Sequence, residues 1–167
     1  EMCLRVRLKN FRSQELLALR RVPTEFAIER NTWFHLGINS SEQFIYCLRR
    51  ILDPVKEHVD NNFNPLPAEY IEEFRPIRAQ INDLMQQTES QISTCRFENY
   101  RETLTLADQC KDELSVIRKK HIDRIQQSKD NSKLQVSLVY LNLLQESQQL
   151  LSNMRHQLRA AKKFIDN

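Results

Sequence analysis

The sequence is short of the residues that make turns. It contains a single glycine, Gly37, and five prolines in 167 residues. Hairpins and tight turns depend on residues that accept a positive φ, so this composition strongly disfavours a sheet architecture. Hydrophobic residues make up 40% of the chain and charged residues 28%, as in folded helical proteins rather than disordered ones. We expect an all-α fold with one main core.

Cysteine pairs, long apolar runs and a large net charge are also missing. Cys3, Cys47, Cys95 and Cys110 form no C-x-x-C pair, which favours reduced, mostly buried thiols in a cytosolic compartment over a disulfide framework or a zinc site. We find no signal-peptide pattern among these 167 residues. The net charge of +3 is too small to indicate a nucleic-acid partner. Because the chain starts at Glu1 rather than methionine, we expect it to be part of a longer protein.

The stretch from Leu134 to Met154 carries a single formal charge, at Glu146. A membrane span needs about 20 predominantly apolar residues, whereas this stretch has eleven apolar side chains and six amides among its twenty-one residues. Those amides would be unsatisfied in hydrocarbon. We therefore predict the central helix of a bundle, with leucines packed inside and amides at the margins.

The first forty residues are predicted to form a helical linker. Pro23 interrupts an initial run of apolar residues at helical spacing, namely Leu4, Leu8, Phe11, Leu16 and Leu19. A short helix follows and is predicted to stop at Gly37. Ser40 begins a capping box for the next helix. These breaks place a linker at residues 1–40 and a bundle at residues 41–167.

Four long amphipathic helices are predicted over residues 41–60, 70–92, 97–127 and from 134 onward. Pro54 lies inside the first and is expected to kink it. A cluster of asparagine and proline at residues 61–67 separates the first two helices, and residues 129–133 turn the chain into the last. At ~1.5 Å per residue, these helices would build an elongated antiparallel four-helix bundle with an extra N-terminal helical segment.

Part of the sequence follows a recognisable pattern. It reads Arg118-Lys-Lys-His-Ile-Asp-Arg-Ile125 and then Ser137-Leu-Val-Tyr-Leu-Asn-Leu-Leu-Gln-Glu-Ser147, and Glu57-His-Val-Asp-Asn-Asn-Phe63 and Arg159-Ala-Ala-Lys-Lys-Phe164 belong to it. It resembles the carboxyl-terminal cytoplasmic region of bacterial inorganic phosphate transporters of the Pit family, which is similar to PhoU-like helical bundles. The resemblance covers most of residues 41–167.

This resemblance implies a PhoU-like bundle on the cytoplasmic side of the inner membrane, where it would regulate or stabilise phosphate transport. It implies no catalysis and no cofactor. The partner would be the transmembrane portion of the same transporter chain, and the sequence leaves a homodimer open.

PhoU-like bundles often bind a metal through two acids spaced by three residues. At the corresponding place this sequence reads Glu146-Ser-Gln-Gln-Leu150, without the second carboxylate. Asp108 and Asp112 do have the i, i+4 spacing, but they flank the predicted inner face. We therefore expect surface acids paired with Lys111 or Arg118, and no metal.

Other polar groups are predicted to be structural. The acids Glu69, Glu72 and Glu73 would favour the positive end of a helix dipole. His121 lies on an apolar stripe and is expected to be a hydrogen-bonded core histidine. His58, beside Glu57 and Asp60, is expected to be an exposed residue at a helix end.

Two surface features have both structural and functional interpretations. The rings of Trp33, Phe34 and His35 would either plug one end of the bundle or dock onto a partner. The cations Arg118, Lys119, Lys120 and Arg124 would either form a solvated helix face or contact phosphate groups or an anionic membrane surface.

The leading hypothesis is a non-catalytic regulatory or structural domain of a phosphate transporter. One alternative is a helical metal-dependent phosphohydrolase, which would need the carboxylates of Glu69, Glu72, Glu73, Asp108 and Asp112. The other is a free-standing dimerisation or adaptor bundle that acts through an exposed apolar groove.

Overall fold

The fold is all-α over the part of the chain that the computed structural model describes, which comprises residues 24–61, 64–127 and 134–166 with positions 6, 7, 10 and 14. It contains four long helices: α1 (Thr24–Asp60), α2 (Ala68–Thr94), α3 (Tyr100–Gln127) and α4 (Leu134–Asp166). The predicted all-α helical bundle is therefore confirmed. The apolar run from Leu4 to Leu19, Cys3, Pro23 and the turn at 129–133 lie outside the described residues.

Each helix runs antiparallel to the one before it in the chain, which follows from the side-chain contacts between helices. Between α1 and α4, Gln157 donates a hydrogen bond to Ser41 at 2.9 Å, and Arg50 pairs with Glu146 at 2.8 Å. Residue numbers therefore increase along α1 in the direction in which they decrease along α4, so these two helices are antiparallel. The side-chain contacts between α2 and α3 and between α3 and α4 follow the same rule. The bundle therefore has an up-down-up-down topology.

Helix α4 lies at the centre of the bundle, as its sequence predicts. It packs against all three other helices, whereas the Cα atoms of α1 and α2 stay more than 8 Å apart over their described length. Leu144, Leu151 and Leu158 on α4 are almost completely buried, and each contributes about 1.5–3 kcal/mol by leaving water. The prediction that the amide side chains of this helix lie at its margins is wrong for Asn153, which is buried as well.

Helix α1 is continuous where the sequence predicts two helices, so the predicted stop at Gly37 and start at Ser40 are wrong. Ser40 Oγ donates to the carbonyl of Leu36 at 2.8 Å, as serine does inside a helix. A glycine in a helix interior costs about 1 kcal/mol relative to alanine. The extended packing of α1 along α4 outweighs this cost, and one helix crosses the boundary predicted between residues 40 and 41.

Pro54 lies inside α1, and its missing N–H has a visible consequence. A proline cannot donate to the carbonyl four residues earlier, which here belongs to Arg50. The side chain of Asn142 on α4 donates to that carbonyl at 2.8 Å. A neighbouring helix thus supplies the hydrogen bond that the proline cannot form.

Helix α2 ends at a residue that the sequence does not mark as a stop. Cys95 adopts a left-handed conformation with φ of 55°, and the amide of Arg96 donates to the carbonyl of Gln91 at 3.1 Å. This is the Schellman arrangement, which usually employs glycine. None of the described helices has the length and apolar character required to cross a bilayer.

Candidate functional site

Glu73 is the centre of a polar network that joins three helices. Its side chain on α2 is only 15% exposed. Arg124 of α3 donates to both carboxylate oxygens at 3.0 and 3.2 Å, Lys120 donates at 3.2 Å, and the Tyr140 hydroxyl of α4 donates at 3.2 Å. Burial would raise the pKa of Glu73, but the hydrogen bonds from Arg124 and Lys120 outweigh it and lower the pKa. The carboxylate therefore stays ionised.

The prediction that helix-dipole effects explain the whole acidic cluster is wrong for Glu73, since it binds cations of another helix. Glu69 does lie in the first turn of α2. Glu72 forms an exposed pair with Arg75 at 2.7 Å, and both side chains are 63% exposed. Sequence periodicity could not separate these acids, because only the position of α3 decides which one is covered.

His121 lies in an aromatic cluster beside this network. Its ring meets Tyr70 and Tyr140 edge-on at centroid distances of 4.8 and 4.9 Å, and the two tyrosines stack at 4.6 Å. Nε2 is 3.0 Å from the Ser137 carbonyl, which can only accept, so this nitrogen carries the proton. The predicted core histidine is confirmed: it is fully buried, and burial lowers its pKa.

Glu146 occupies a second interhelical network. The carboxylate is buried on α4 and accepts from Arg50 Nε on α1 at 2.8 Å. Arg50 Nη2 and Asn153 Nδ2 approach the Cys47 thiol at 3.2 and 3.3 Å. The position of the second acid of a metal-binding pair is occupied by Leu150, and the guanidinium of Arg50 compensates the charge of Glu146.

The predicted partners of the Asp108–Asp112 pair are wrong. Asp108 pairs with Arg155 of α4 at 2.6 Å rather than with Lys111 or Arg118. Asp112 is exposed. Within the described residues, no group of three or more histidine, cysteine or acidic side chains is arranged to hold a metal ion.

The four candidate surface cations divide into two pairs. Lys120 and Arg124 bind Glu73, whereas Lys119 is exposed and Arg118 is half-buried. Only the latter two lie outside the Glu73 network. The interpretation of these cations as an anion or membrane contact stays a prediction.

The aromatic residues Trp33, Phe34 and His35 lie inside α1 rather than at a helix end, so their predicted position is wrong. Phe34 lies 6.2 Å from the ring of Phe164 on α4, and His35 is exposed. Trp33 lines a depression of about 440 Å³ that also includes Arg159. Partner binding by these rings stays a prediction.

His58 and the cysteines complete the predicted sites. His58 is buried with Nε2 at 2.7 Å from the Asn64 carbonyl, so the prediction of exposure is wrong: a residue beyond the end of α1 contacts its ring. Cys47 and Cys110 are buried free thiols and Cys95 is exposed. Burial raises the pKa of Cys110 to about 11, so this thiol is protonated at neutral pH.

Two cavities beside α2 were not predicted from the sequence. One, of about 500 Å³, lies between α1, α2 and α4 and includes Glu89. The other, of about 360 Å³, is lined by α2, α4 and Leu66 and includes Arg75 and Arg78. The apolar lining of the two cavities consists of Phe44, Ile45, Leu48, Leu66, Ile71, Phe74, Met85, Leu143, Ile92 and Met154. Periodicity assigns several of these residues to the core, and only the packing of the helices shows which of them line a cavity.

Comparison of this chain with family models, curated proteins and solved structures gives no match.

Proposed function

We propose that this chain is a non-catalytic regulatory or structural domain of an inorganic phosphate transporter, acting on the cytoplasmic side by contact with the transporter's membrane portion. The contact role is supported by what the carboxylates of the bundle bind. Glu73, Asp108 and Glu146 each bind a cation of a neighbouring helix at 2.6–3.2 Å. Carboxylates that could act in catalysis therefore stabilise the packing of the helices instead.

This arrangement favours a contact domain over the metal-dependent phosphohydrolase. A two-metal phosphohydrolase needs several carboxylates that converge on ions about 3.5–4 Å apart. Here Glu73 joins α2 to α3, and Asp108 joins α3 to α4. Their charges are compensated by arginine and lysine. The fold therefore already supplies the charges that metal ions would supply in such an enzyme.

The assignment to a phosphate transporter rests on the resemblance to the Pit-family region. The resembling segments contribute Lys120, His121 and Arg124 on α3 and Tyr140 and Glu146 on α4. These residues build the internal networks of the bundle. The pattern therefore coincides with the residues on which this fold depends, which supports the proposal that the likeness reflects a shared architecture.

Deletion in the full-length protein tests the proposal. The complete protein that contains this segment is expressed in a bacterium without other phosphate uptake, with and without residues 24–167, and labelled phosphate uptake and membrane abundance are measured. We expect altered uptake or abundance on deletion. Unchanged values for both would contradict the proposal.

A parallel measurement tests the phosphohydrolase. The 167-residue chain is titrated with Mg²⁺ by calorimetry and assayed for hydrolysis of a phosphate monoester, alongside Asp112→Asn. We expect no turnover in either protein. Magnesium-dependent hydrolysis that Asp112→Asn abolishes would establish the enzyme instead.

A further inference from the structure

The two ring nitrogens of His121 differ in their surroundings. Nε2 donates to the carbonyl of Ser137 at 3.0 Å, whereas Nδ1 is buried and has no hydrogen-bond partner among the described residues. In the neutral ring Nδ1 carries no hydrogen. A proton on Nδ1 would create a buried charge and a buried donor without an acceptor, which costs far more free energy than an unpaired acceptor. The closed structure therefore favours the neutral ring.

The charged groups near His121 do not compensate this cost. Burial is the largest contribution to the lowered pKa of His121, and Arg124 on the same helix lowers the pKa further. On α2, Glu73 and Glu69 raise it, but by less. The neighbour on α4 is Tyr140, whose hydroxyl donates to Glu73 rather than to the histidine. A protonated ring would thus be stabilised better in water than in this cluster.

The first turn of α2 covers the ring of His121 on one side. Tyr70 is the third residue of this helix, and its ring meets that of His121 edge-on with 4.8 Å between centroids. Tyr70 also lines the cavity of about 360 Å³, whose lining includes the exposed residues Arg75 and Arg78. Tyr70 therefore lies between His121 and a cavity that opens to the surface.

The start of α2 has few interactions that keep it closed. Pro67 at the N-cap forms no side-chain hydrogen bond with the first turn, where serine or aspartate usually does. The amides of Tyr70 and Ile71 share the carbonyl of Pro67, at 3.0 and 3.3 Å. Helix ends of this kind open locally at a much lower free energy than the whole domain unfolds.

We propose that His121 is a pH-sensitive switch: when its ring takes up a proton at mildly acidic pH, the first turn of α2 detaches, Tyr70 leaves the ring, and water hydrates Nδ1. Nε2 keeps its bond to Ser137, because it donates in both protonation states. Glu73 limits the detachment, because its carboxylate is ionised at this pH and its ion pairs hold the second turn of α2 against α3. This property belongs to the bundle itself and does not rest on the proposed transport function.

Hydrogen exchange of the 167-residue chain at pH 7.5 and pH 5.5 tests the switch. Mass spectrometry follows the exchange of each peptide, and division by the intrinsic rate at each pH gives a protection factor. One pH unit below the pKa of about 6.5 of an exposed histidine, proton uptake favours an open state by at most about tenfold. We expect the protection of residues 70–74 to fall by about three- to tenfold at pH 5.5. At both pH values it should stay below the protection of residues 144–158 in the centre of α4.

Variants of the four histidines assign the effect. His121→Gln keeps a donor for Ser137 and does not titrate, so residues 70–74 should be equally protected at both pH values. His58→Gln is the matched control, because His58 is also buried and contacts Asn64 in the segment that leads into α2; it should keep the wild-type fall. So should His35→Gln and His156→Gln, at exposed positions. If circular dichroism shows that His121→Gln is unfolded, the three other variants decide by elimination.

Three outcomes would overturn the proposal. The first is constant protection of residues 70–74 in the wild type while the centre of α4 loses protection at pH 5.5, because His121 would then be protonated only when the whole chain unfolds. The second is a fall that persists in His121→Gln. The third is a fall that His58→Gln, His35→Gln or His156→Gln removes, because a different histidine would then be responsible.

Discussion

Replacing Glu73 by glutamine tests whether the three-helix network stabilises the bundle. Glutamine keeps the shape and one acceptor oxygen, so the Tyr140 hydroxyl can still donate. The lost interaction is the ionic one with Arg124 and Lys120. Both cations belong to α3, so the variant weakens the connection between α3 and α2.

The magnitude follows from the exposure of each partner. The Arg124 side chain is 32% exposed and donates to both oxygens; hydrogen bonds to charged groups contribute about 1.5–3 kcal/mol when they are largely buried. Lys120 is 61% exposed, and such a pair contributes about 0.5 kcal/mol or less. Because Arg124 can hydrate in the variant, we expect a loss of about 2 kcal/mol.

Urea unfolding of the wild type and Glu73→Gln measures this loss as a lower midpoint at constant slope. Glu72→Gln is the matched control: its partner Arg75 is on the same helix and exposed, so the expected loss is about 0.3 kcal/mol. A loss for Glu73→Gln that equals that of Glu72→Gln would refute the reasoning. The comparison removes the contribution of helix propensity, since both positions lie in α2.

The pH dependence of the free energy of unfolding gives an independent check that the ionised carboxylate of Glu73 stabilises the folded state. The pKa of Glu73 is lower in the folded state, so the unfolded chain takes up a proton first as the pH falls. The stabilisation is fully present above the unfolded pKa of about 4.3 and is lost as the pH falls through the lower folded value. The difference between wild type and Glu73→Gln should therefore shrink in that window. A difference that stays constant to the bottom of the window would show that the charge is not responsible.

Three further substitutions test single positions by urea unfolding. Gly37→Ala should raise the free energy of unfolding by about 0.5–1 kcal/mol, because the added Cβ would lie at an ordinary 3.6 Å from Ala160 Cβ; destabilisation would argue against a helical Gly37. At Cys95, glycine should be about 1 kcal/mol more stable than alanine, and equal stabilities would contradict the left-handed cap. The lowered pKa of His121 makes the unfolded chain bind a proton first below about pH 6.5, so stability should fall there. His121→Gln, which keeps a donor for Ser137, should remove that part of the pH dependence, and an unchanged slope would contradict it.

The helices and the buried histidine could be predicted because they depend on local spacing. Apolar residues at three- and four-residue intervals identify a helix and its inner face whatever lies opposite. The bounds of α1 could not be predicted in this way. Gly37 and Ser40 favour a break in the helix locally. The packing energy that keeps the helix continuous comes from contact with α4, more than a hundred residues later in the chain.

The polar networks could not be predicted because spacing places a residue on a face but does not identify its partner. Glu146 appeared as a lone carboxylate, and its partner Arg50 lies 96 residues earlier. Asp108 has one cation within helical reach, Lys111 at i+3, yet it pairs with Arg155 of α4. In both cases a neighbouring helix provides a cation that local rules do not consider.

These ion pairs also explain how neighbouring helices acquire a single register. An apolar stripe repeats every few residues and would tolerate a shift of one turn between helices, whereas a pair such as Arg50 and Glu146 is broken by a shift of ~5.4 Å. Ion pairs thus set the register between α1 and α4, between α2 and α3, and between α3 and α4. The Cα atoms of α1 and α2 stay more than 8 Å apart over their described length, and α1 packs only against α4 among the described helices. The position of α1 relative to α2 therefore depends on the register that Arg50 and Glu146 set between α1 and α4.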